Sequence, residues 1–221
     1  MTKIRTVLFD LDGTIADTAP DMAHALNALL QAEGKQTLAF EDIRPVVSHG
    51  ASALIKLGLG VAPGEAEFDR LRERFLAVYA DNLCRHTRPF DGIGPLLVSL
   101  HAAGIAWGIV TNKPAFLTEP LIASLDLKPA PVCIVSGDTT NNRKPHPEPM
   151  LHAAAAAGAR PEQCLYVGDA ERDIQAGKLA GMKTLVALFG YISRSETPDR
   201  WGADGMVNSP HEILEWLERH G

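Results

Sequence analysis

The sequence contains few cysteines, and their spacing excludes a disulfide framework. Three Cys, at positions 84, 133 and 164, are scattered through 221 residues and form no CxxC pair. An odd number of isolated cysteines is typical of reduced thiols in a cytoplasmic protein. We expect Cys133 and Cys164, which lie in apolar segments, to be part of the core.

Long apolar runs and dense clusters of basic residues are also missing. No apolar stretch reaches the roughly 18 residues of a membrane-spanning helix. The beginning, MTKIRTVLFD, lacks the apolar region and cleavage site of a signal peptide. The formal net charge is −6, and no run of Lys and Arg offers a surface for nucleic acid. We therefore expect a cytoplasmic protein that binds neither membranes nor nucleic acid.

Aromatic residues make up only 6% of the chain, whereas 46% of it is hydrophobic, which suits α/β packing. Near-continuous apolar runs predict buried strands over 4–9, 105–111, 132–136, 164–169 and 183–188. Helical patterns alternate with the strands, over 92–103, 115–125, 147–158 and 171–181. This alternation indicates an α/β fold with a Rossmann-like parallel sheet and helices on both faces.

Residues 16–88 interrupt the alternation. Their patterns predict an amphipathic helix in TAPDMAHALNALLQAEGK and further helices around 40–57 and 65–84, with no strand. We therefore predict two domains, an α/β core of residues 1–15 and 89–221 and a helical domain of residues 16–88.

Two acidic residues come directly after the first predicted strand, in VLFDLDGT. Unpaired carboxylates are unfavourable near a core. Asp10 and Asp12 therefore either share a positive partner or mark an ordinary strand end in solvent. Gly13 permits a tight turn, and we expect it to bring the backbone against a substrate.

Three further motifs place polar side chains after apolar segments. VTNKP offers the Thr111 hydroxyl and the Asn112 amide, which suit phosphate oxygens. NRKPHPEP places Lys144 in a proline-rich loop with little backbone freedom. YVGDAERD carries Asp169 and Asp173, about one helical turn apart. Each motif alone is also compatible with a strand end or a solvated loop.

The motifs point to chemistry when they are taken together. Because the sites of parallel sheets lie at the carboxyl ends of the strands, we expect Asp10, Thr111 and Asp169 to meet there. Carboxylates are hard ligands that suit Mg²⁺, which usually takes one or two of them together with substrate oxygens. The combination predicts a site for a divalent cation and a phosphate.

The motifs D-x-D-G-T, Thr at a strand end, Lys before Pro and G-D-x-x-x-D occur in this order over the whole predicted core. In this arrangement the sequence resembles the haloacid dehalogenase superfamily. Residues 16–88 are similar to the helical cap of its phosphoglycolate-phosphatase-like branch. FGYI and WGAD resemble segments of the bacterial N-acetylmuramic acid 6-phosphate phosphatases within that branch. Ala170 departs from the pattern, because relatives often carry Ser or Asp there, so a hydrogen bond near the metal is expected to be missing or replaced.

The resemblance implies a Mg²⁺-dependent phosphatase for a small phosphorylated metabolite, most similar to phosphoglycolate phosphatase. It implies that Asp10 attacks phosphorus to form an aspartyl-phosphate, and that Asp12 acts as general acid and then as general base. The metal would be bound by Asp10, the backbone carbonyl of Asp12 and Asp169. Asp173 would orient Lys144 or a metal-bound water. Three side chains would stabilise the charge of the phosphoryl group: Thr111, Asn112 and Lys144.

Other functions are compatible with the same motifs. Asp12 favours phosphoryl transfer over dehalogenation, because the dehalogenases of the superfamily lack an acid at that place and need no metal. The alternatives are an N-acetylmuramic acid 6-phosphate phosphatase, a sugar-phosphate mutase and a catalytically silent binding module. The intact motif residues argue against the last of these.

Further candidates lie outside the central motif positions. His49, in VVSHGAS within the cap, occupies a place where relatives carry a substrate-facing loop, and we predict that it contacts the substrate. Lys113 and Arg143 flank the phosphate motifs and are expected to be solvent-exposed helpers.

Overall fold

The structure, a computed structural model, describes residues 3–220. Its strands are β1 (Thr6–Phe9), β2 (Ala16–Asp17), β3 (Arg88–Pro89), β4 (Ala106–Val110), β5 (Ile134–Val135), β6 (Cys164–Gly168), β7 (Lys183–Ala187) and β8 (Gly205–Val207). Six of them form one parallel sheet in the order β5-β4-β1-β6-β7-β8, and β2 pairs with β3 in antiparallel fashion. Each predicted strand is therefore confirmed.

The helices are α1 (Ala19–Ala32), α2 (Phe40–Ile43), α3 (Gly50–Leu59), α4 (Phe68–Asp81), α5 (Ile93–Ala102), α6 (Ala115–Leu125), α7 (Glu148–Ala156), α8 (Glu171–Leu179) and α9 (Pro210–His220). A 3₁₀ helix, Arg44–His49, lies between α2 and α3. Within residues 3–220, no helix combines the length and the apolar character needed to cross a bilayer.

The two faces of the sheet are buried under different helices. Val7 and Phe9 of β1 pack on one face with residues of α5, α6 and α9. Leu8, between them, packs on the opposite face with residues of α7 and α8. Successive side chains of a strand point to opposite faces, so a strand covered on both sides is apolar throughout. The predicted α/β fold with helices on both faces is confirmed.

Helices α1 to α4 pack on one another around a separate hydrophobic cluster that includes Leu26 and Phe75. Leu117 and Tyr191 join this cluster from outside residues 16–88. We use the name cap for residues 16–88 because these helices lie against the carboxyl ends of the central strands. Contacts between Ser48 of the cap and Asp169 after β6 show this placement directly.

The structure differs from the sequence-based expectations in three places. The insertion is not free of strands, because β2 and β3 pair where the chain leaves and re-enters the core. Strands of two residues carry no periodic pattern that could reveal them. The helix expected around 40–57 is divided, since Pro45 lacks an N–H and Gly50 has a φ of 74°. Strand β8 and helix α9 were not predicted.

Candidate active site

Residues of three motifs meet at the carboxyl ends of neighbouring strands. Asp10 follows β1, Thr111 follows β4 and Asp169 follows β6, and β1 lies between the other two strands. The hydrogen bonds between neighbouring strands continue to this point. Asp10 N donates to Val167 O, and Thr111 N donates to Val135 O, each at 2.9 Å. The structure thus brings together the three side chains expected at this edge.

Lys144 lies at the centre of the site with its ammonium group surrounded by oxygen atoms. Its Nζ lies 2.9 Å from Asp10 Oδ1 and 2.7 Å from Asp173 Oδ1. The same atom donates to Val110 O at 2.9 Å and to Tyr166 Oη at 2.8 Å. A buried charge requires such partners, because an isolated one is strongly unfavourable. Lys144 is therefore a fixed positive charge in the site.

Asp10, Asp169 and Asp173 form a buried acidic cluster whose carboxylate oxygens lie within 4.8 Å of one another. Asp169 Oδ1 is buried and has no hydrogen-bond partner within the described part of the chain. Three carboxylates beside the cations of Lys144 and Arg172 still leave an excess of negative charge. Hard oxygen donors suit Mg²⁺. The cluster therefore fits a divalent metal ion.

Burial perturbs two of these carboxyl groups. It raises the pKa of Asp10 to about 6, against the opposing effect of the Lys144 ammonium. It also raises the pKa of Asp169 to about 7, and the charges of Asp10 and Asp173 add to that effect. Without a cation Asp10 and Asp169 therefore bind protons close to neutral pH, because burial and neighbouring like charges disfavour their ionised forms.

Asp12 has partners different from those of the acidic cluster. Its Oδ1 accepts a hydrogen bond from Thr18 Oγ1 at 2.6 Å and lies 3.1 Å from Lys113 Nζ. Lys113 also donates to Tyr79 Oη of α4 at 3.2 Å. The expectation that Lys113 is solvent-exposed is wrong, because its side chain is only 5% exposed. Burial disfavours the charged form of Lys113, but the nearby Asp12 and Tyr79 outweigh this effect and raise its pKa.

Asn112 and Gly13 make structural contacts that the sequence did not reveal. The Asn112 amide donates to Lys144 O at 3.0 Å and accepts from Lys144 N at 3.1 Å, so it holds the loop that carries the lysine. Gly13 has a φ of 84°, and an added Cβ would lie 2.0 Å from Asp169 Oδ2. Glycine is required there because a side chain would displace the carboxylate. Gly13 faces Asp169 and is not among the described residues that line the cavity.

A cavity of about 300 Å³ lies between the strand ends and the cap. Asp10 and Asp12 line its core side, and His49 and Arg72 line its cap side. Arg172, at the start of α8, also borders it. Carboxylates thus line the core side of the cavity, and the guanidinium groups of Arg72 and Arg172 border the remaining space.

His49 lines this cavity, at the end of the 3₁₀ helix. Its Nε2 lies 3.9 Å from Glu196 Oε1, and its side chain is 44% exposed. Burial and the neighbouring Arg172 guanidinium lower the pKa of His49, so the ring is mainly neutral at pH 7. Contact of His49 with substrate stays a prediction.

Two functional candidates in the site were missed by sequence reasoning. Ser48 Oγ donates to Asp169 Oδ2 at 2.5 Å, and Arg172 Nη2 donates to Ser48 O at 2.6 Å. Arg172 lies inside the GDAERD motif, so a search for cations within the motifs could have found it. Ser48 had no such signal, because its partner lies 121 positions away.

Comparisons with known proteins agree with this geometry. A family model described as haloacid dehalogenase-like hydrolase matches residues 7–187. A phosphoglycolate phosphatase of Xylella fastidiosa is 44% identical over 207 residues, which cover 94% of this chain and 90% of that protein. An N-acetylmuramic acid 6-phosphate phosphatase of Pseudomonas aeruginosa is 38% identical over 217 residues, which cover 98% of this chain and 96% of that protein.

A solved structure shows the same architecture. The crystal structure of a predicted phosphoglycolate phosphatase from Haemophilus somnus has a TM-score of 0.86 and 26% sequence identity. The match covers 98% of this chain and 99% of the other. The predictions of a phosphatase, similar to phosphoglycolate phosphatase, and of the corresponding fold are thereby confirmed. The chain belongs to the haloacid dehalogenase-like hydrolase family.

Proposed function

We propose that this chain is a Mg²⁺-dependent phosphatase that hydrolyses a small phosphorylated metabolite through an aspartyl-phosphate on Asp10. The observation that carries the proposal is the position of this side chain. Its carboxylate lines the cavity, belongs to the acidic cluster and lies 2.9 Å from Lys144 Nζ. One carboxylate therefore faces a substrate space, a cation site and a fixed positive charge.

The contacts of Asp10 distinguish its two oxygens. Oδ1 accepts from Leu11 N at 2.8 Å and pairs with Lys144, so Oδ2 is the oxygen that attacks. In the first step a bond forms between Oδ2 and phosphorus, and the bond from phosphorus to the substrate's alcohol oxygen breaks. The reaction needs ionised Asp10, and Lys144 favours that form against the effect of burial.

Asp12 is positioned to exchange the protons of both steps. Thr18 and Lys113 hold Oδ1, which leaves Oδ2 to donate a proton to the departing alcohol oxygen. In the second step Asp12 takes a proton from water, the water oxygen attacks phosphorus, and the bond to Asp10 breaks to release inorganic phosphate. Such proton transfer contributes about 10²- to 10⁴-fold, so positioning and electrostatics must contribute most of the acceleration.

The proposed metal ligands are Asp10, Asp169 and the backbone carbonyl of Asp12. When bound, Mg²⁺ supplies positive charge that balances the phosphoryl oxygens and the clustered carboxylates. Asp173, 2.7 Å from Lys144 Nζ, fixes that ammonium group toward the reacting centre. The groups proposed to stabilise the phosphoryl charge are Thr111, Asn112 and Lys144.

We propose that residues 16–88 act as a cap domain over a core of residues 1–15 and 89–221 and contact the substrate beyond its phosphate. The substrates named for the relatives, phosphoglycolate and N-acetylmuramic acid 6-phosphate, both carry a carboxylate. The cap side of the cavity offers His49 and Arg72 to such a group. Enclosed ligand sites typically measure about 300–1,000 Å³, so a cavity of about 300 Å³ leaves room beyond a two-carbon acid. N-acetylmuramic acid 6-phosphate is the second candidate, because a relative named for this activity is 38% identical and covers 98% of this chain.

Phosphate release from a panel of substrates tests the proposal. We expect Mg²⁺-dependent turnover of 2-phosphoglycolate or N-acetylmuramic acid 6-phosphate well above that of an aryl phosphate. With an aryl phosphate, whose leaving group needs no proton in the first step, mass spectrometry of the peptide that contains Asp10 should detect the phosphorylated residue in an Asp12→Asn variant, because the second step lacks its base. Isomerised sugar phosphate without phosphate release would indicate a mutase, and binding without turnover would indicate a silent module.

A further inference from the structure

A serine of the cap donates a hydrogen bond to a carboxylate of the proposed metal site. Ser48 Oγ lies 2.5 Å from Asp169 Oδ2, and Tyr191 N donates to the same oxygen at 2.9 Å. The other oxygen, Oδ1, is buried and has no hydrogen-bond partner among residues 3–220. The two donors therefore hold one oxygen of Asp169 and leave the other available to a cation.

The residue of the core that follows Asp169 has no side chain that could donate a hydrogen bond to its carboxylate. The following residue, Ala170, is buried and has an apolar side chain, and its N–H donates to Asp173 Oδ2 at 3.0 Å. The one side-chain hydroxyl that reaches Asp169 in the described chain thus comes from the cap, through Ser48. The expectation of a replaced hydrogen bond near Ala170 agrees with this arrangement.

We infer that Ser48 is a positioning residue for the metal-binding carboxylate of Asp169, and that it couples metal binding to closure of the cap. The inference rests on the proposed metal site. Hydrogen bonds to a metal ligand fix its orientation, and their loss typically weakens metal affinity about 10- to 100-fold. Here the donor lies on the cap, so Asp169 has its full set of hydrogen bonds only while the cap contacts the core.

Arg172 holds the same cap segment by its backbone. Its Nη2 donates to Ser48 O at 2.6 Å, and it lies in α8, three residues after Asp169. The hydroxyl and the carbonyl of Ser48 are therefore both bound by the core, within one short stretch of chain. This pair of contacts fixes Ser48 more firmly than a single hydrogen bond between two surfaces.

The coupling must be reciprocal. If contact of the cap with Asp169 strengthens metal binding, the metal must favour the closed cap by the same factor. Mg²⁺ alone should then protect the cap junctions, β2 and β3, from proteolysis before any substrate is added. The protection should be lost when the hydroxyl of Ser48 is removed.

Calorimetric titration of Mg²⁺ into substrate-free protein tests the inference, with proteolysis of the same samples as a second readout. We expect Ser48→Ala to weaken Mg²⁺ binding about 10-fold or more and to abolish protection of the cap junctions. Ser52→Ala is the matched control, because Ser52 lies in the next turn of the cap without a bond to Asp169. Unchanged affinity in Ser48→Ala would overturn the inference.

Arg172→Gln provides an independent variant. Removing a positive charge beside the acidic cluster would by itself strengthen cation binding, so a weaker affinity would report the lost position of Ser48. We expect weaker binding, and stronger binding would contradict the role given to Arg172. The Asp169→Asn variant serves as the reference for a protein without the proposed metal site. If the wild-type protein bound no more Mg²⁺ than this variant does, the proposed metal site itself would be refuted. If the wild-type protein and Ser48→Ala bound Mg²⁺ with the same affinity, only the coupling to the cap would be refuted.

Discussion

Lys113 Nζ lies 3.1 Å from Asp12 Oδ1, so a buried lysine of the core contacts the carboxylate that we propose as general acid and base. The same ammonium group donates to Tyr79 Oη of the cap and lies 4.5 Å from the centre of the Tyr79 ring. Lys113 therefore connects the proton-transfer group to the helix that covers the site. A cation in this position holds the carboxylate of Asp12 in place.

Lys113→Met should lower kcat on every substrate by about 10-fold or more. Asp12 would lose a charge-assisted hydrogen bond of about 1.5–3 kcal/mol and with it a fixed position. Tyr79→Phe is the control, because it removes only the second contact of Lys113 and should have a smaller effect. Steady-state kinetics and thermal unfolding would be measured together. A loss of Tm with unchanged kcat would assign Lys113 to stability alone.

Asp10→Asn should abolish turnover and leave the fold intact. An amide is a poor nucleophile and a poor metal ligand, whereas its size matches the carboxylate that it replaces. Phosphate release would be measured in excess substrate, and circular dichroism would check the fold. More than trace activity in a protein verified by mass spectrometry would contradict the assignment of Asp10 as nucleophile.

Activity should depend on Mg²⁺, and Ca²⁺ should inhibit it. Calcium takes about six to eight ligands at longer distances than magnesium, which would move the Asp10 carboxylate away from the line of attack. The measurement is the rate in chelator, in Mg²⁺, and in Mg²⁺ with increasing Ca²⁺. Full activity in excess chelator would favour the metal-free chemistry of the dehalogenases.

His49→Ala should lower kcat/KM for the true substrate by about 10-fold, with little change for an aryl phosphate. The ring lines the cap side of the cavity, where a carboxylate or a hydroxyl of the substrate would accept a hydrogen bond of about 1.5–3 kcal/mol. Both substrates must be tested on both proteins. Equal losses on the two would place His49 in the chemistry or in general stability, and no loss would make it a bystander.

Asp169→Asn should stabilise the metal-free protein at pH 8. Burial raises the pKa of Asp169 to about 7, above the roughly 3.9 of an unfolded Asp. The folded state then binds more protons than the unfolded state between these values, so the free energy of unfolding falls as the pH rises through this range. The Asp169→Asn variant has no ionisable group at this position, so its free energy of unfolding does not fall in this way.

Thermal unfolding in chelator checks this expectation. At pH 8 we expect the variant to melt higher by about 2 °C or more, the shift that about 1 kcal/mol produces in a chain of this size. The difference should shrink at pH 5, where Asp169 of the folded wild type is protonated. Excess Mg²⁺ should reverse the order, because only the wild type gains stability from binding the ion. A variant that melts lower at pH 8 in chelator would contradict the raised pKa.

Much of the fold could be predicted because its signals are local. A strand buried on both faces is an unbroken apolar run, and β1, β4, β6 and β7 were all located in this way. The positions of Asp10, Thr111 and Asp169 followed from a general property of parallel sheets, whose strands end at the same edge. Lys144 was found because the prolines around it indicate a rigid loop.

Local patterns also have limits that particular elements show. Strands β2 and β3 have two residues each, and β8 has three, too few for a period of two to be distinguished from chance. Helix α9 has an amphipathic pattern in PHEILEWLERH that could have been recognised. The break before α3 depends on Pro45 and Gly50, and Val47 between them is buried in the hydrophobic cluster of the cap.

The sequence by itself determined the α/β architecture, the helical insertion and the identity of the acids and the lysine at the strand ends. Only the tertiary structure decided that Lys113 is buried against Asp12 and that Ser48 meets Asp169. The physical reason is the distance along the chain between the residues that interact. A strand, a turn or a motif depends on neighbours within a few residues. A contact across 101 or 121 positions depends instead on how the strands are ordered in the sheet and on how the cap packs on the core. That packing is the sum of many weak contacts, which no single segment of the sequence contains.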